Sequence, residues 1–359
     1  MTRVLVVGAG AFGGWTALHL LRRGAKVTLA DAYGPGNSRS SSGDETRILR
    51  CAYVDRIYAE MTRRALEIWL ESERAWNERL FFRTGVIRLQ GENDSDGRAF
   101  VQTLRDAGVA YRELDAKDAS ERFPQFRFDD LRWILEEPDA GMLRARRGCD
   151  AVVRAFVAEG GTFERRRILP DDRLDYDIVV WACGPWLNKL FGVPVESTRQ
   201  EVAYLGAPAG DARFDETRMP CWIDDSAAGT DRAYYYGTPG NDWRGMKIGD
   251  NAYGEAFDPD TGSRFVRPET LAGIFEYAAM RFPALAGAPA VETRVCQYEL
   301  TPDKHLILDR HPADSRFWIV GGGSGHGYKL GPAVGEMTAA MALGERGVEP
   351  LFRLDRFNL

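Results

Sequence analysis

Apolar side chains along this chain fall into two rhythms, and its opening stretch contains both. Arg3-Val4-Leu5-Val6-Val7 is a short aliphatic run, rich in β-branched residues, that predicts a buried strand. Trp15, Leu18 and Leu21 then recur at helical spacing with the small Ala11 and Ala17, predicting a helix over 12–23 with Gly24 as its left-handed exit. Residues 26–30 read as a second strand that ends on Asp31. Helical periodicity returns over 58–76, with Met61, Ala65, Ile68 and Trp69 on one face, over 95–108, and over 149–160. Residues 81–90 alternate as a strand and 133–137 begin another, whereas 176–184 form an unbroken apolar run of the kind buried on both faces in a parallel sheet. From 199 the pattern becomes antiparallel, with strand candidates at 200–205, 233–237, 245–249 and 294–299 and a helix over 268–281 that has proline in its first turn. A strand over 317–320 and a helix over 331–343 close the chain.

The order of these elements predicts an α/β lobe of Rossmann-like type interrupted twice by an α+β lobe built on a mainly antiparallel sheet. We assign 1–80, 142–198 and 299–359 to the first lobe, and 81–141 and 199–298 to the second. Between the first strand and helix stands Gly8-Ala9-Gly10-Ala11-Phe12-Gly13, a G-x-G-x-x-G in its full strand, helix, strand, acid context. Gly8 makes the turn, Gly10 lets backbone approach a pyrophosphate, and Gly13 lets the helix lie close on the sheet. The helix N-terminus offers unpaired N–H groups to phosphate, and Asp31 can accept from ribose hydroxyls. The small, polar loop 32–43 follows the ribose acid and must pass near a bound dinucleotide. Beyond it Arg47 and Arg50 are three apart and would share a face if this segment is a helical turn.

The fingerprint alone fits NAD or FAD. No second complete fingerprint is present for a nicotinamide partner, and the glycines after Val320 read as a strand-to-helix turn whose positive end suits a flavin that becomes anionic on reduction. A plain tight turn is the alternative. FAD is therefore the expected cofactor.

Composition narrows the class further. A net charge of −6, with 47 basic and 53 acidic residues, argues against a nucleic-acid groove. No apolar run approaches membrane-spanning length, and a first strand at Arg3 leaves no room for a signal peptide, so a cytoplasmic protein without a membrane partner is expected. Cys51, Cys149, Cys183, Cys221 and Cys296 form no C-x-x-C, and His19, His305, His311 and His326 form no H-E-x-x-H, so no metal site is expected. His19, inside the first helix, reads as packing.

Several separated segments together resemble the monomeric sarcosine oxidase family, within the D-amino-acid oxidase class of flavoproteins. They are the opening Val-Val-Gly-Ala-Gly, Gly-Asp-Glu-Thr46-Arg47-Ile-Leu-Arg50, Tyr235-Tyr236-Gly-x-Pro, Gly245-Met-Lys247-Ile-Gly249, Val295-Cys296-Gln-Tyr298, Asp303-Lys-His305-Leu-Ile-Leu-Asp309-x-His311-Pro and Gly323-Ser-Gly325-His326-Gly327-Tyr-Lys329. The resemblance implies oxidation of a C–H bond beside an amine nitrogen, hydrolysis of the resulting imine, and O₂ as the electron acceptor with hydrogen peroxide as product. The expected partners are a small amine and O₂, and the expected state is a monomer. A related flavin dehydrogenase and a flavin-binding subunit of a heteromeric complex are the alternatives.

Residue by residue, the resemblance makes Cys296 the cysteine joined by a thioether to the flavin 8α carbon. Read alone, Cys296 is a half-buried strand cysteine. The resemblance makes Lys247 the lysine that favours reaction with O₂, Arg50 and Lys329 the pair that holds a substrate carboxylate, and Arg47 a neighbour of the flavin ring. Surface ion pairing is the plain reading of these three last residues. Tyr236 and Tyr298 match pocket aromatics, and Gly323, Gly325, His326 and Gly327 lie on the turn at the flavin. Ser41, Thr46 and Lys329 join the implied cofactor contacts. Where the sarcosine oxidases carry a pocket histidine two residues past Gly249, this chain has Asn251, preceded by Asp250, which changes pocket charge and shape and separates the reaction type from any one substrate.

Overall fold

A parallel sheet with helices packed on one face organises the first lobe of the protein, seen here in a computed structural model that describes residues 1–226 and 234–357. Six strands lie in the order Ile307–Arg310, Phe317–Gly321, Ile178–Trp181, Arg3–Val7, Lys26–Ala30 and Thr162–Glu164, all parallel except the first. Buried on both faces, the central strands are continuous aliphatic runs. One face carries the helices Ala11–Arg22, Arg56–Trp76, Ala145–Ala158 and Gly331–Ala342, whose Trp15, Trp69, Val152, Phe156 and Val334 share one core. Leu5, Val7, Trp181, Leu187 and Ile319 fill the other face.

The second lobe is an eight-stranded sheet in the order Ala290–Leu300, Glu196–Leu205, Met246–Asp250, Tyr235–Thr238, Cys221–Asp224, Val86–Gln90, Trp133–Glu137 and Arg112–Leu114. Only the pair Cys221–Asp224 with Val86–Gln90 is parallel. Side chains alternate across a sheet, so the register divides it into two faces. Ile87, Trp222, Ile248 and Ala203 lie on one face and pack against Ile274 and Ala278 of the helix Pro268–Arg281. The other face, traced through Ile223↔Arg88, Ile223↔Tyr236, Tyr236↔Gly249, Val202↔Gly249 and Tyr204↔Lys247, carries Arg88, Tyr236 and Lys247. The pairs Gln200↔Cys296 and Thr198↔Tyr298 extend that face to the edge strand. A third, three-stranded sheet joins Thr46–Leu49, Gly141–Arg144 and Phe81–Phe82.

Some expectations change. The segment with Arg47 and Arg50 is a strand, Thr46–Leu49, and not a helical turn, so residues three apart leave on opposite sides. The expected strand over 81–90 is two strands in different sheets, Phe81–Phe82 and Val86–Gln90, because Gly85 has φ +76° and breaks the run. The helix expected from 149 begins four residues earlier, as Ala145–Ala158. Of the strand expected at 233–237, Ala233 lies outside the described residues and the strand is Tyr235–Thr238. The strands Glu196–Leu205 and Ala290–Leu300 run across the expected lobe boundaries at 198 and 298.

Candidate active site

The fingerprint turn is shaped by contacts that only glycine permits. Gly8 has φ +106°, and a Cβ there would stand 2.3 Å from the carbonyl oxygen of Ala182. On Gly13 a Cβ would stand 1.9 Å from the carbonyl oxygen of Gly8, so helix and strand touch through backbone. Gly10 caps the helix Ala11–Arg22 with no side-chain bond of its own, and Ser42 Oγ accepts from Ala11 N at 3.1 Å. Asp31 accepts from the backbone N–H groups of Ala9 (2.8 Å), Tyr33 (2.8 Å) and Gly34 (2.7 Å), which pins the ribose acid against the turn.

Beside this turn opens a cavity of about 270 Å³. Gly8, Gly10, Asp31, Ser41 and Ser42 line one end, while Arg47, Tyr298, Gly323, Gly325 and Gly327 line the end at the eight-stranded sheet. Ser41 Oγ is buried with no hydrogen-bond partner among the described residues. An unpaired hydroxyl on a lined cavity, a glycine cradle and an acid at the strand end fit a dinucleotide, and these residues would hold it.

Arg47, which lines the cavity, belongs to one of two nearby pairs of cations, whose other members Lys247, Arg50 and Lys329 stand behind the lining. Asp44 serves the first: Arg47 Nη1 donates to Oδ2 at 2.8 Å, Lys247 Nζ donates to the same oxygen, and Tyr204 donates to Oδ1 at 2.7 Å. Lys247, only 1% exposed, also donates to the Thr46 carbonyl at 3.2 Å. Burial works against the Asp44 charge, but Lys247 and Arg47 hold the carboxyl far below its usual range. Burial lowers Lys247 in turn, against the opposing pull of Asp44. Arg47 also donates to the Ser41 carbonyl (2.8 Å) and reaches Cys296 Sγ (3.5 Å), which places the half-buried thiol beside a guanidinium at the cavity.

The second pair, Arg50 and Lys329, has no carboxylate partner among the described residues. Arg50 donates to the Ala52 carbonyl, and Lys329 donates to the His326 carbonyl at 2.9 Å. Burial and the nearby positive charges lower both, Lys329 strongly. Asn251 lies exposed at the rim, where its side-chain oxygen accepts from Tyr298 Oη at 3.3 Å.

Of the expected residues, Gly13, Thr46, Arg50, Tyr236, Lys247, Asn251, Cys296, His326 and Lys329 are not among those lining the cavity. Thr46 Oγ1 is taken up by Thr238 Oγ1 at 2.9 Å, and the imidazole of His326 turns away to Tyr53 and the Lys304 carbonyl. Glu299, which no motif signalled, does line it. Glu299 is 7% exposed, Oε1 accepts from Gly323 N at 3.2 Å, and Oε2 has no partner among the described residues. Burial, only partly offset by that N–H, pushes its carboxyl up to about 7. Only the strand register around Tyr298 could have pointed to it.

A glycine-cradled nucleotide cavity that ends on a sheet face carrying cations, tyrosines and one thiol defines a nucleotide-dependent oxidoreductase. Residues 3–341 match the family model described as FAD dependent oxidoreductase, and the chain belongs to this DAO family. It is 29% identical over 366 residues to monomeric sarcosine oxidase of Bacillus sp. (strain NS-129), covering 94% of this chain and 92% of that one. It is 27% identical over 377 residues to N-methyl-L-tryptophan oxidase of Salmonella enteritidis PT4 (strain P125109), covering 99% of each. Among solved structures, L-proline dehydrogenase from P. horikoshii superposes with a TM-score of 0.84 at 21% identity over 99% of this chain and 98% of that one. A fructosyl peptide oxidase mutant gives 0.83 at 20% identity over 98% and 93%. These two share the two-lobed fold. The protein is thus an FAD-dependent enzyme of the sarcosine oxidase-like type. Among the described residues no group of three acids, histidines or cysteines could hold a metal ion, and no helix is long and apolar enough to cross a membrane.

Proposed function

We propose that this enzyme oxidises the C–H bond next to the nitrogen of a secondary or tertiary amine that also carries a carboxylate, of the N-methyl or cyclic amino acid type. The product is an imine that hydrolyses, with O₂ as the final acceptor and hydrogen peroxide as the second product. FAD, when bound, supplies the two-electron acceptor for that C–H bond and hands the electrons on to O₂. The observation that carries the reading is the contrast between the two cation pairs: Arg47 and Lys247 share Asp44, whereas among the described residues no carboxylate is in ion-pair contact with Arg50 or Lys329. A buried cation pair lacking its counter-charge is a receptor for one, and a guanidinium with an ammonium clamps a carboxylate and orients the carbon beside it.

The remaining roles follow from position. Tyr298 lines the cavity end with Tyr236 beside it, and Asn251, bonded to Tyr298, shapes what enters. Lys247, held charged by Asp44, presents a positive charge that favours reaction with O₂. Gly8, Gly10, Gly13, Asp31 and Ser41 hold the nucleotide, the turn of Gly323, Gly325 and Gly327 faces the ring with its neighbours Thr46, His326 and Lys329 behind, and Cys296 carries the covalent link. The reading includes the lobe partition given above, with its boundaries at 198 and 298 moved clear of the two strands that cross them, a monomer working in the cytoplasm, and no nucleic-acid partner.

An anaerobic screen of N-alkyl and cyclic amino acids, each beside its analogue without the carboxylate, tests this. A carboxylated amine is expected to bleach the flavin, its decarboxylated analogue to fail, and air to restore colour with one peroxide per turnover. Bleaching by neither class refutes the reading; a reduced dye without peroxide makes the enzyme a dehydrogenase.

A further inference from the structure

Tyr53 belongs to no motif read from the sequence, yet the two unpaired cations meet on its ring. The guanidinium carbon of Arg50 lies 4.5 Å and the ammonium of Lys329 5.0 Å from the ring centroid. The residue is 8% exposed, so both contacts are largely out of water, where a cation over an aromatic face is worth most. Its hydroxyl stands 3.2 Å from His326 Nδ1, while His326 Nε2 stands 3.2 Å from the carbonyl of Lys304. A carbonyl only accepts, so Nε2 carries the proton and Nδ1 takes the hydrogen of the Tyr53 hydroxyl. Burial, and then Lys329, push His326 down to about 3, which keeps the imidazole neutral in this role. The ring is thereby fixed in orientation by the same residue whose carbonyl holds Lys329.

Half-buried Arg50 and buried Lys329 carry like charges, and that of Arg50 lowers Lys329. The groups that act on Lys329 are Arg50, Cys51, Glu137 and Arg88, with His326 and Tyr53 in direct contact. Of the two acids in this region, Glu137 is occupied by the backbone N–H groups of Cys51 (2.6 Å) and Ala52 (3.1 Å), and Asp225 by Arg88 (2.7 and 2.9 Å). Beside the separate carbonyls of Ala52 and His326, the Tyr53 ring is the electron-rich group that Arg50 and Lys329 share.

We propose that Tyr53 is the positioning residue of the carboxylate site, its ring face gathering Arg50 and Lys329 at one spacing before a substrate carboxylate arrives. This rests on the carboxylate reading given above, and the test separates the two. Methoxyacetate and tetrahydrofuran-2-carboxylate, an acyclic and a cyclic acid without an oxidisable amine, are titrated into the holoenzyme between about pH 6 and 10 and read by the flavin absorption spectrum. Wild type is expected to bind, and to lose affinity as pH rises and Lys329 gives up its proton. Tyr53→Phe keeps the ring and is expected to bind within about threefold of wild type with the same pH midpoint. Tyr53→Met is expected to bind roughly tenfold more weakly or worse, with the midpoint moved to lower pH. A methionine variant that matches wild type in affinity and midpoint, or a phenylalanine variant as weak as the methionine one, overturns the proposal while leaving the carboxylate reading intact. Wild type that binds neither acid sinks that reading and the proposal with it. If Tyr53→Met does not accumulate folded, Tyr53→Leu takes its place, with the same loss of affinity expected and the same wild-type-like binding overturning the proposal.

Discussion

Replacing Asp44 by asparagine leaves Lys247 in place and removes the charge that keeps it protonated. The carboxylate touches Lys247 and lies 2.8 Å from Arg47, with all three side chains at least four-fifths buried. A pair of unit charges about 4 Å apart at an effective dielectric near 20 interacts by about 4 kcal/mol. Losing Asp44 therefore lowers Lys247 further. Burial and Arg47 already lower this lysine, and Asp44 is the largest opposing influence. In the variant the amine therefore gives up its proton at a lower pH than in wild type. Pre-reduced enzyme is mixed with oxygenated buffer across the pH range, and reoxidation is followed by the return of flavin colour. Reoxidation of Asp44→Asn should fall away at lower pH than that of wild type, and Lys247→Met should be slow throughout. Asp44→Asn with the wild-type pH profile, or Lys247→Met slowing reduction by substrate as much as reoxidation, refutes the reasoning.

Other outcomes are equally concrete. Cys296→Ser should release its flavin into the supernatant on acid precipitation while wild type keeps it with the polypeptide; free yellow supernatant from wild type excludes the thioether. Gly13→Ala places a methyl 1.9 Å from the Gly8 carbonyl oxygen, so overpacking should cost about 3 kcal/mol or more and flavin content should fall; normal content and melting temperature would show that the turn can open. For Glu299 the folded carboxyl, at about 7, lies above its ordinary 4.5, so its stabilising contribution is full below the lower value and lost as pH rises through the upper one, a swing of about 3 kcal/mol. Glu299→Gln, neutral throughout, should flatten the fall in melting temperature between about pH 5 and 8, and an unchanged slope would place the titration elsewhere.

The dinucleotide lobe is legible because its demands are local. Gly8, Gly10, Gly13 and Asp31 each answer to neighbours within a few residues or to one strand end, and the helix Pro268–Arg281 announces itself through period and proline alike. Cys221–Asp224, Gly141–Arg144 and Ile307–Arg310 escape because a strand of four residues is too short to show its period, and the partners of Gly141–Arg144 also lie far away in sequence. Arg47 and Arg50 look alike in sequence, and only the strand between them sends one to Asp44 and the other to the face of Tyr53. Asp44, Tyr53 and Glu299 carry no pattern of their own. Their significance comes from what the register of two sheets brings beside them, a long-range property that spacing along the chain does not encode.

One cuvette tests the central claim most directly. The purified protein, under argon, receives an N-methyl or cyclic amino acid identified in the screen, and its visible spectrum is recorded before addition, after addition and after air is admitted. The account predicts a yellow protein that bleaches under argon and recovers its colour in air with an equivalent of hydrogen peroxide. A colourless protein that stays so when FAD is supplied, or a yellow one that no amine bleaches, contradicts it.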